Sequence, residues 1–254
     1  MHPTLFHLGG ITIYSFGLFL AFGIIAGCLL VAYLAKRYHL GMPGLFDNLL
    51  FMIFTGVIGA RIAYIIAYPQ YFKAPLGSFM TAFALWQGGL VFYGALLGGL
   101  VGVWFILRYE HKNLLRWLDI LMFGLLVGIS LGQIGCTLGG CAQGLESSSR
   151  FAIDSHLPIA LYEAILAAAL LVAGLWLYRQ KPLWRRDGRI FFGSALLYFG
   201  GRLFFDYFRI TTLHIKGVSV AVIVDVIFLL IVTLALVLYT NKKRRDAIGS
   251  EEVY

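Results

Sequence analysis

The chain has 254 residues, 60% of them apolar and only 13% charged, with a formal net charge of +8 and a mean hydropathy of +0.86. A soluble domain carries charge on about a quarter of its residues, so this composition excludes an ordinary globular protein and indicates one embedded in lipid. The basic residues sit in short clusters between apolar runs, as loops of membrane proteins arrange them, so a membrane partner is expected and a nucleic acid is not.

Residues 1 to 10 contain no Lys or Arg, and the apolar run that follows, Ile11 to Ala35, ends at Lys36 and Arg37. A secretory signal carries its positive charges first, so this run is expected to be a retained helix with its N-terminus outside. Ile25-Ala26-Gly27-Cys28 fits the short pattern of a lipoprotein cleavage site but lacks that basic start. Further apolar runs span Leu45–Tyr68, Trp86–Leu107, Leu118–Gly135, Ile159–Tyr178, Ile190–Phe208 and Val218–Tyr239. Each is near the ~20 residues a spanning helix requires, so an all-α protein of seven transmembrane helices is predicted.

Alternate connections differ sharply in basic residues. One set holds Lys36, Arg37, Arg108, Lys112, Arg116, Arg179, Lys181, Arg185, Arg186, Arg189, Lys242, Lys243, Arg244 and Arg245; the other holds Lys73, Arg150, Arg209 and Lys216. Cytoplasmic loops are enriched in Lys and Arg, so the N-terminus is expected outside and the C-terminus inside. No connection has the length of a separate domain, which predicts one membrane domain over residues 1–245 and a polar cytoplasmic tail over 246–254.

Ionisable residues within the spans are costly at bilayer depth, about 2.5–3.5 kcal/mol each, and are functional candidates by default. The sequence reading takes these to be Arg61, Glu163, Arg202, Asp206 and Asp225. Arg202, Asp206 and Arg209 follow at spacings of four and three, which on a helix places them in one stripe. The bland alternative is structural pairing, Arg202 with Asp206 and Arg61 with Glu163. All six histidines lie in loops or at the terminus, leaving Tyr93, Glu163, Asp206 and Asp225 as acid/base candidates within the membrane. Cys28, Cys136 and Cys141 form no CxxC or Cys/His metal spacing, so no metal and no cofactor are expected. Cys136 and Cys141 could pair in an oxidising compartment, or could simply be small residues in a Gly-rich segment. Guanidinium binds phosphate bidentately, so interior arginines in apolar surroundings suit a phospholipid.

Six motifs recur in order along nearly the whole chain: Tyr14-Ser15-Phe16-Gly17; Gly59-Ala60-Arg61; Trp86-Gln87-Gly88-Gly89-Leu90-Val91-Phe92-Tyr93-Gly94; Gly132-Gln133-Ile134-Gly135-Cys136; Pro158-Ile159-Ala160-Leu161-Tyr162-Glu163; and the stretch from Tyr198 to Arg209. Together they resemble the prolipoprotein diacylglyceryl transferases, seven-helix enzymes of the bacterial inner membrane. The resemblance implies transfer of a diacylglyceryl group from phosphatidylglycerol to the lipobox cysteine of a preprolipoprotein, with release of glycerol phosphate. It implies Arg202, Tyr93 and Asp206 as catalytic residues, with Arg202 meeting the phosphate, Asp206 orienting it and Tyr93 in the base position. Substrate binding would fall to Arg61, Gln133, Cys136, Glu163 and Arg209, with Gly88, Gly89 and Gly94 of the third span.

Four departures accompany the resemblance. Tyr93 stands where the family pattern has histidine, Phe16 where it has tyrosine, and Gln133 and Cys136 where the signature has arginine and asparagine; Gly139 to Gly144 replaces an Asn-Gly-Glu run. Loss of a charged contact to a departing phosphate costs about a thousandfold in rate, so the alternative is an inactive or repurposed relative that binds phospholipid. A small-solute transporter or a seven-helix receptor is a third class, but broken helices in two repeated halves and a lysine in the last span are not seen.

Overall fold

The apolar runs become seven α-helices in the computed structural model, which describes residues 4–8, 11–72, 89–148, 152–153, 155–181, 184, 188–210, 214–215 and 218–251. In chain order these are α1 (Ser15–Arg37), α2 (Leu45–Ala67), α3 (Phe92–Tyr109), α4 (Leu114–Gly139), α5 (Ile159–Gln180), α6 (Arg189–Asp206) and α7 (Val220–Glu251). All except α6 are long and apolar enough to cross a membrane. Arg189, Arg202 and Asp206 within its 18 residues set α6 apart.

Small strands and helix ends depart from the sequence reading. The first apolar run opens as strand, not helix: β1 (Thr4–Leu8) pairs antiparallel with β2 (Ile11–Tyr14) before α1 begins. A second hairpin, β3 (His214–Ile215) with β4 (Val218–Ser219), precedes α7. The third helix begins at Phe92 rather than Trp86, because Gly89 adopts φ +79°, a left-handed conformation that ends regular helix. Residues 73–88, including Trp86 and the proposed site residue Gly88, lie outside the described residues. The sixth helix stops at Asp206, so Arg209 sits in the following turn and the expected single helical stripe is broken.

The chain forms two compact units, Leu34–Trp117 and Met1–Tyr33 with Leu118–Tyr254. Within the first, α2 and α3 meet through glycine. Gly59 faces the Gly94 carbonyl oxygen and Gly98 faces the Thr55 carbonyl oxygen so closely that a Cβ on either glycine would collide with backbone. Such contact depends on the missing side chains, the device by which membrane helices approach without polar glue. Within the second unit, a Cβ on Gly27 of α1 would lie 2.7 Å from the Gly124 carbonyl oxygen of α4, while α6 packs between α5 and α7.

Burial is inverted relative to a soluble protein. Large apolar side chains such as Phe54, Ile66, Trp104, Leu197, Phe204 and Leu230 are more than half exposed, whereas Ser15, Arg61, Asp119, Glu163, Arg202, Asp206 and Asp225 are buried. Lipid accepts the first set and rejects the second, which accounts for both.

Candidate functional site

Glu163, on the second turn of α5, is fully buried and gathers side chains from α4, from α6 and from the turn after α6. Gln133 of α4 donates through Nε2 to its Oε2. Arg202 of α6 reaches the same oxygen through Nη1 at 3.5 Å, and Arg209 donates through Nη2 to Oε1. Arg202 also lies 3.6 Å from Asp225 Oδ1 of α7 through Nε, and its Nη1 donates to the Tyr198 hydroxyl at 3.4 Å. Asp206 takes Arg209, whose Nη1 lies 3.1 Å from Oδ1. Four helices thus converge on a cluster in which Glu163, Asp206 and Asp225 face Arg202 and Arg209.

The structure therefore re-pairs the charges anticipated from sequence. Asp206 engages Arg209 three residues on, and Arg202 instead bridges Glu163 and Asp225 across two helix interfaces. Arg209 remains part of the cluster although it is off the helix, because its turn is stitched to the segment after α4. Leu145 N–H donates to the Phe208 carbonyl at 2.9 Å, and Ile210 N–H donates to the Gln143 carbonyl at 3.1 Å. Cys136 and Cys141 are joined by a disulfide at the end of α4, with Cα atoms 5.1 Å apart, which resolves the two sequence alternatives in favour of pairing.

One buried charge was missed from sequence. Asp119 of α4 is fully buried and its Oδ1 accepts the Phe191 N–H at 2.8 Å, capping the first turn of α6 from another helix. A carboxylate there satisfies an amide that the helix cannot pair and meets the positive end of its dipole. Asp119 sits at the edge of the predicted fourth span, beside the basic loop, so it resembles a loop charge; its position one residue inside the apolar run was the available signal.

The other predicted site residues lie in the Leu34–Trp117 unit. Arg61 is buried on α2, donates through Nη1 to the Gly89 carbonyl at 3.0 Å, and lies over the rings of Tyr64 and Phe72 at 5.4 and 5.6 Å. A Cβ on Gly89 would stand 2.8 Å from that same Nη1, so glycine is needed here twice, for φ and for access. Gly94 belongs to the α2–α3 contact, and Tyr93 beside it meets Phe92 edge to face at 5.7 Å. Among the described residues no group of three or more His, Cys, Asp or Glu could hold a metal ion. The arrangement around Glu163 can bind an anion through guanidinium and can hold or pass a proton at carboxylate.

A family model described as prolipoprotein diacylglyceryl transferase matches residues 3–239. A phosphatidylglycerol–prolipoprotein diacylglyceryl transferase of Dehalococcoides mccartyi is 26% identical over 261 residues, covering 96% of each chain. Relatives of the same name from Clostridium tetani and Oleidesulfovibrio alaskensis are 28% and 29% identical; they cover 82% and 84% of this chain and 86% and 82% of their own. With the apolar helices, these likenesses make the chain a multi-pass membrane protein of bacterial type.

Proposed function

Because this chain belongs to the prolipoprotein diacylglyceryl transferase family, we propose that it moves the diacylglyceryl group of phosphatidylglycerol onto the lipobox cysteine of a preprolipoprotein, and that the Glu163 cluster is where it does so. The observation that carries the placement is the convergence of Arg202 and Arg209 on one buried carboxylate between otherwise lipid-facing helices. In the reaction the cysteine sulfur forms a bond to the terminal glycerol carbon, the bond from that carbon to the phosphate oxygen breaks, and glycerol phosphate leaves with the electron pair. The thiol proton goes to a base. A free cysteine has a pKa of about 8.5, so both a base and a cationic surround favour the attacking thiolate.

Arg202 and Arg209 receive the phosphate and stabilise the charge that grows on it as the bond breaks. Arg209 Nε is buried and has no hydrogen-bond partner among the described residues, which leaves a guanidinium edge for a phosphate oxygen. Glu163 holds both guanidiniums in register until the lipid arrives. Gln133 supplies a neutral donor where the family signature carries arginine, and it keeps the contact to Glu163. Asp206, whose carboxylate oxygens are buried and meet Arg209 by charge rather than by a hydrogen bond, orients Arg209. Membership of the family assigns further substrate-binding roles to Arg61, Gly88, Gly89, Gly94 and Cys136 and the base position to Tyr93.

In the bacterial inner membrane, α6 is the sixth of seven spans, with the N-terminus outside and the C-terminus inside. The chain is one membrane domain to residue 245 with a cytoplasmic tail beyond it. The basic-residue asymmetry supports that orientation, and the Cys136–Cys141 disulfide supports it independently, because the outer end of α4 then faces an oxidising compartment. Complementation of a transferase-depleted bacterium tests the function: growth with lipidated lipoproteins is the expected outcome, and failure despite membrane-inserted expression overturns it.

A further inference from the structure

The turn after α4 has no place in the reaction as written, yet it controls where Arg209 lies. Residues 143–145 run antiparallel to 208–210, with Gly144 and Arg209 forming a bridge flanked by the Leu145 to Phe208 and Ile210 to Gln143 hydrogen bonds. The same turn is tied on its other side to the start of α5, where Gly144 N–H donates to the Leu157 carbonyl at 2.8 Å and Leu157 N–H returns to the Leu145 carbonyl at 3.1 Å. A Cβ on Gly144 would stand 2.8 Å from Leu157 and Ile159 side-chain atoms, so the turn is seated with little freedom. Arg209 and Glu163 thus inherit their relative position from one short backbone segment held between them.

What fixes that segment to α4 is the disulfide. Cys136 is three residues after Gln133 on α4, and Cys141 is two residues before Gln143. Backbone bonds reinforce the link, since Cys141 N–H donates to the Cys136 carbonyl at 3.1 Å and Gly140 N–H to the Thr137 carbonyl at 3.3 Å. Both groups that touch Glu163 from outside α6, Gln133 and Arg209, are therefore connected through the Cys136–Cys141 link. Cys136 is buried and Cys141 exposed, so an external thiol can reach only one of the two sulfurs readily.

We propose that the Cys136–Cys141 disulfide is a positioning element of the Glu163 cluster: it clamps residues 140–145 to α4, and that segment in turn holds residues 208–210 so that the Arg209 guanidinium stays on Glu163. Reduction by a dithiol releases it. The attacking thiolate bonds to the Cys141 sulfur, Cys136 leaves as thiolate and takes a proton, and the second thiol of the reagent closes its own disulfide, freeing Cys141 as thiol. The inference uses the transferase reading only for its turnover arm.

The test uses the full chain in phosphatidylglycerol nanodiscs, as wild type with and without dithiothreitol and as the Cys136→Ala/Cys141→Ala variant. Reducing the wild type keeps the test sound if the variant fails to insert. Amide exchange at Leu145 and Ile210 is expected to rise about tenfold or more on loss of the disulfide, with the α2–α3 amides unchanged. Unchanged exchange at these two amides overturns the proposal. For turnover with a lipobox peptide, loss of the disulfide is expected to reduce kcat/KM about tenfold and Arg209→Ala about a hundredfold or more, and combining them to cost no more than Arg209→Ala alone. Losses that multiply overturn the proposal, because a general structural role would not be absorbed by Arg209. If the wild type transfers nothing to the peptide, the transferase reading fails and the exchange result decides this proposal by itself.

Discussion

The two units solve the same packing problem by opposite means. In Leu34–Trp117, α2 and α3 approach through Gly59, Gly94 and Gly98. In the other unit, α4 to α7 are joined around Glu163 by guanidiniums and carboxylates that lipid would reject singly. Glycine contacts are local and demand only the absence of a side chain. A charge cluster is collective, since each member is tolerable only while the others remain. The difference teaches where a ligand can act: an anion can compete for a guanidinium, but nothing competes for a glycine groove.

Breaking the charge cluster at its hub should have the largest effect. Glu163→Ala removes the carboxylate that two buried guanidiniums share, leaving Arg202 only Asp225 and Arg209 only Asp206 as counter-charges, and a stability loss of about 3–5 kcal/mol is expected, read as a fall in the thermal midpoint of the detergent-solubilised protein. A midpoint within a degree or two of wild type would mean that the two arginines find other partners. On the glycine side, Gly59→Leu forces α2 from α3 and is expected to cost about 1–3 kcal/mol, with fluorescence or cysteine cross-linking across the two helices showing the separation. If Gly59→Leu proved as costly as Glu163→Ala, the contrast between collective and local packing would be lost. The smallest effect is expected at the cap: Asp119→Ala removes one acceptor from the first turn of α6 and should cost about 1 kcal/mol, with faster amide exchange confined to residues 190–192.

Much of this architecture was legible in sequence, and what was not follows a pattern. Apolar length located the helices, because the bilayer thickness fixes it regardless of partner. Helix ends were misplaced where a conformational switch is local: Ile11–Tyr14 is as apolar as the helix it precedes but pairs with Thr4–Leu8, and α6 stops before Arg209 although apolar residues continue. Four members of the charge cluster, Glu163, Arg202, Asp206 and Asp225, stood out as intramembrane charges, yet their pairing did not. Spacing along α6 favours Arg202 with Asp206, whereas cross-helix geometry gives Arg202 to Glu163 and Asp225. Asp119 escaped for a related reason, since its function is written in the position of the α6 N-terminus and not in its own neighbours.

During diacylglyceryl transfer, phosphate is expected to meet Arg202 in the Glu163 cluster. Purified protein in phosphatidylglycerol vesicles, given a lipobox peptide and followed by mass spectrometry, tests it directly when wild type and Arg202→Lys are compared. A lysine keeps the charge but not the bidentate fork, so the peptide should gain a diacylglyceryl group with wild type and do so about a hundred- to a thousandfold more slowly with Arg202→Lys. A peptide left unmodified by wild type, or modified equally fast by the variant, would contradict it.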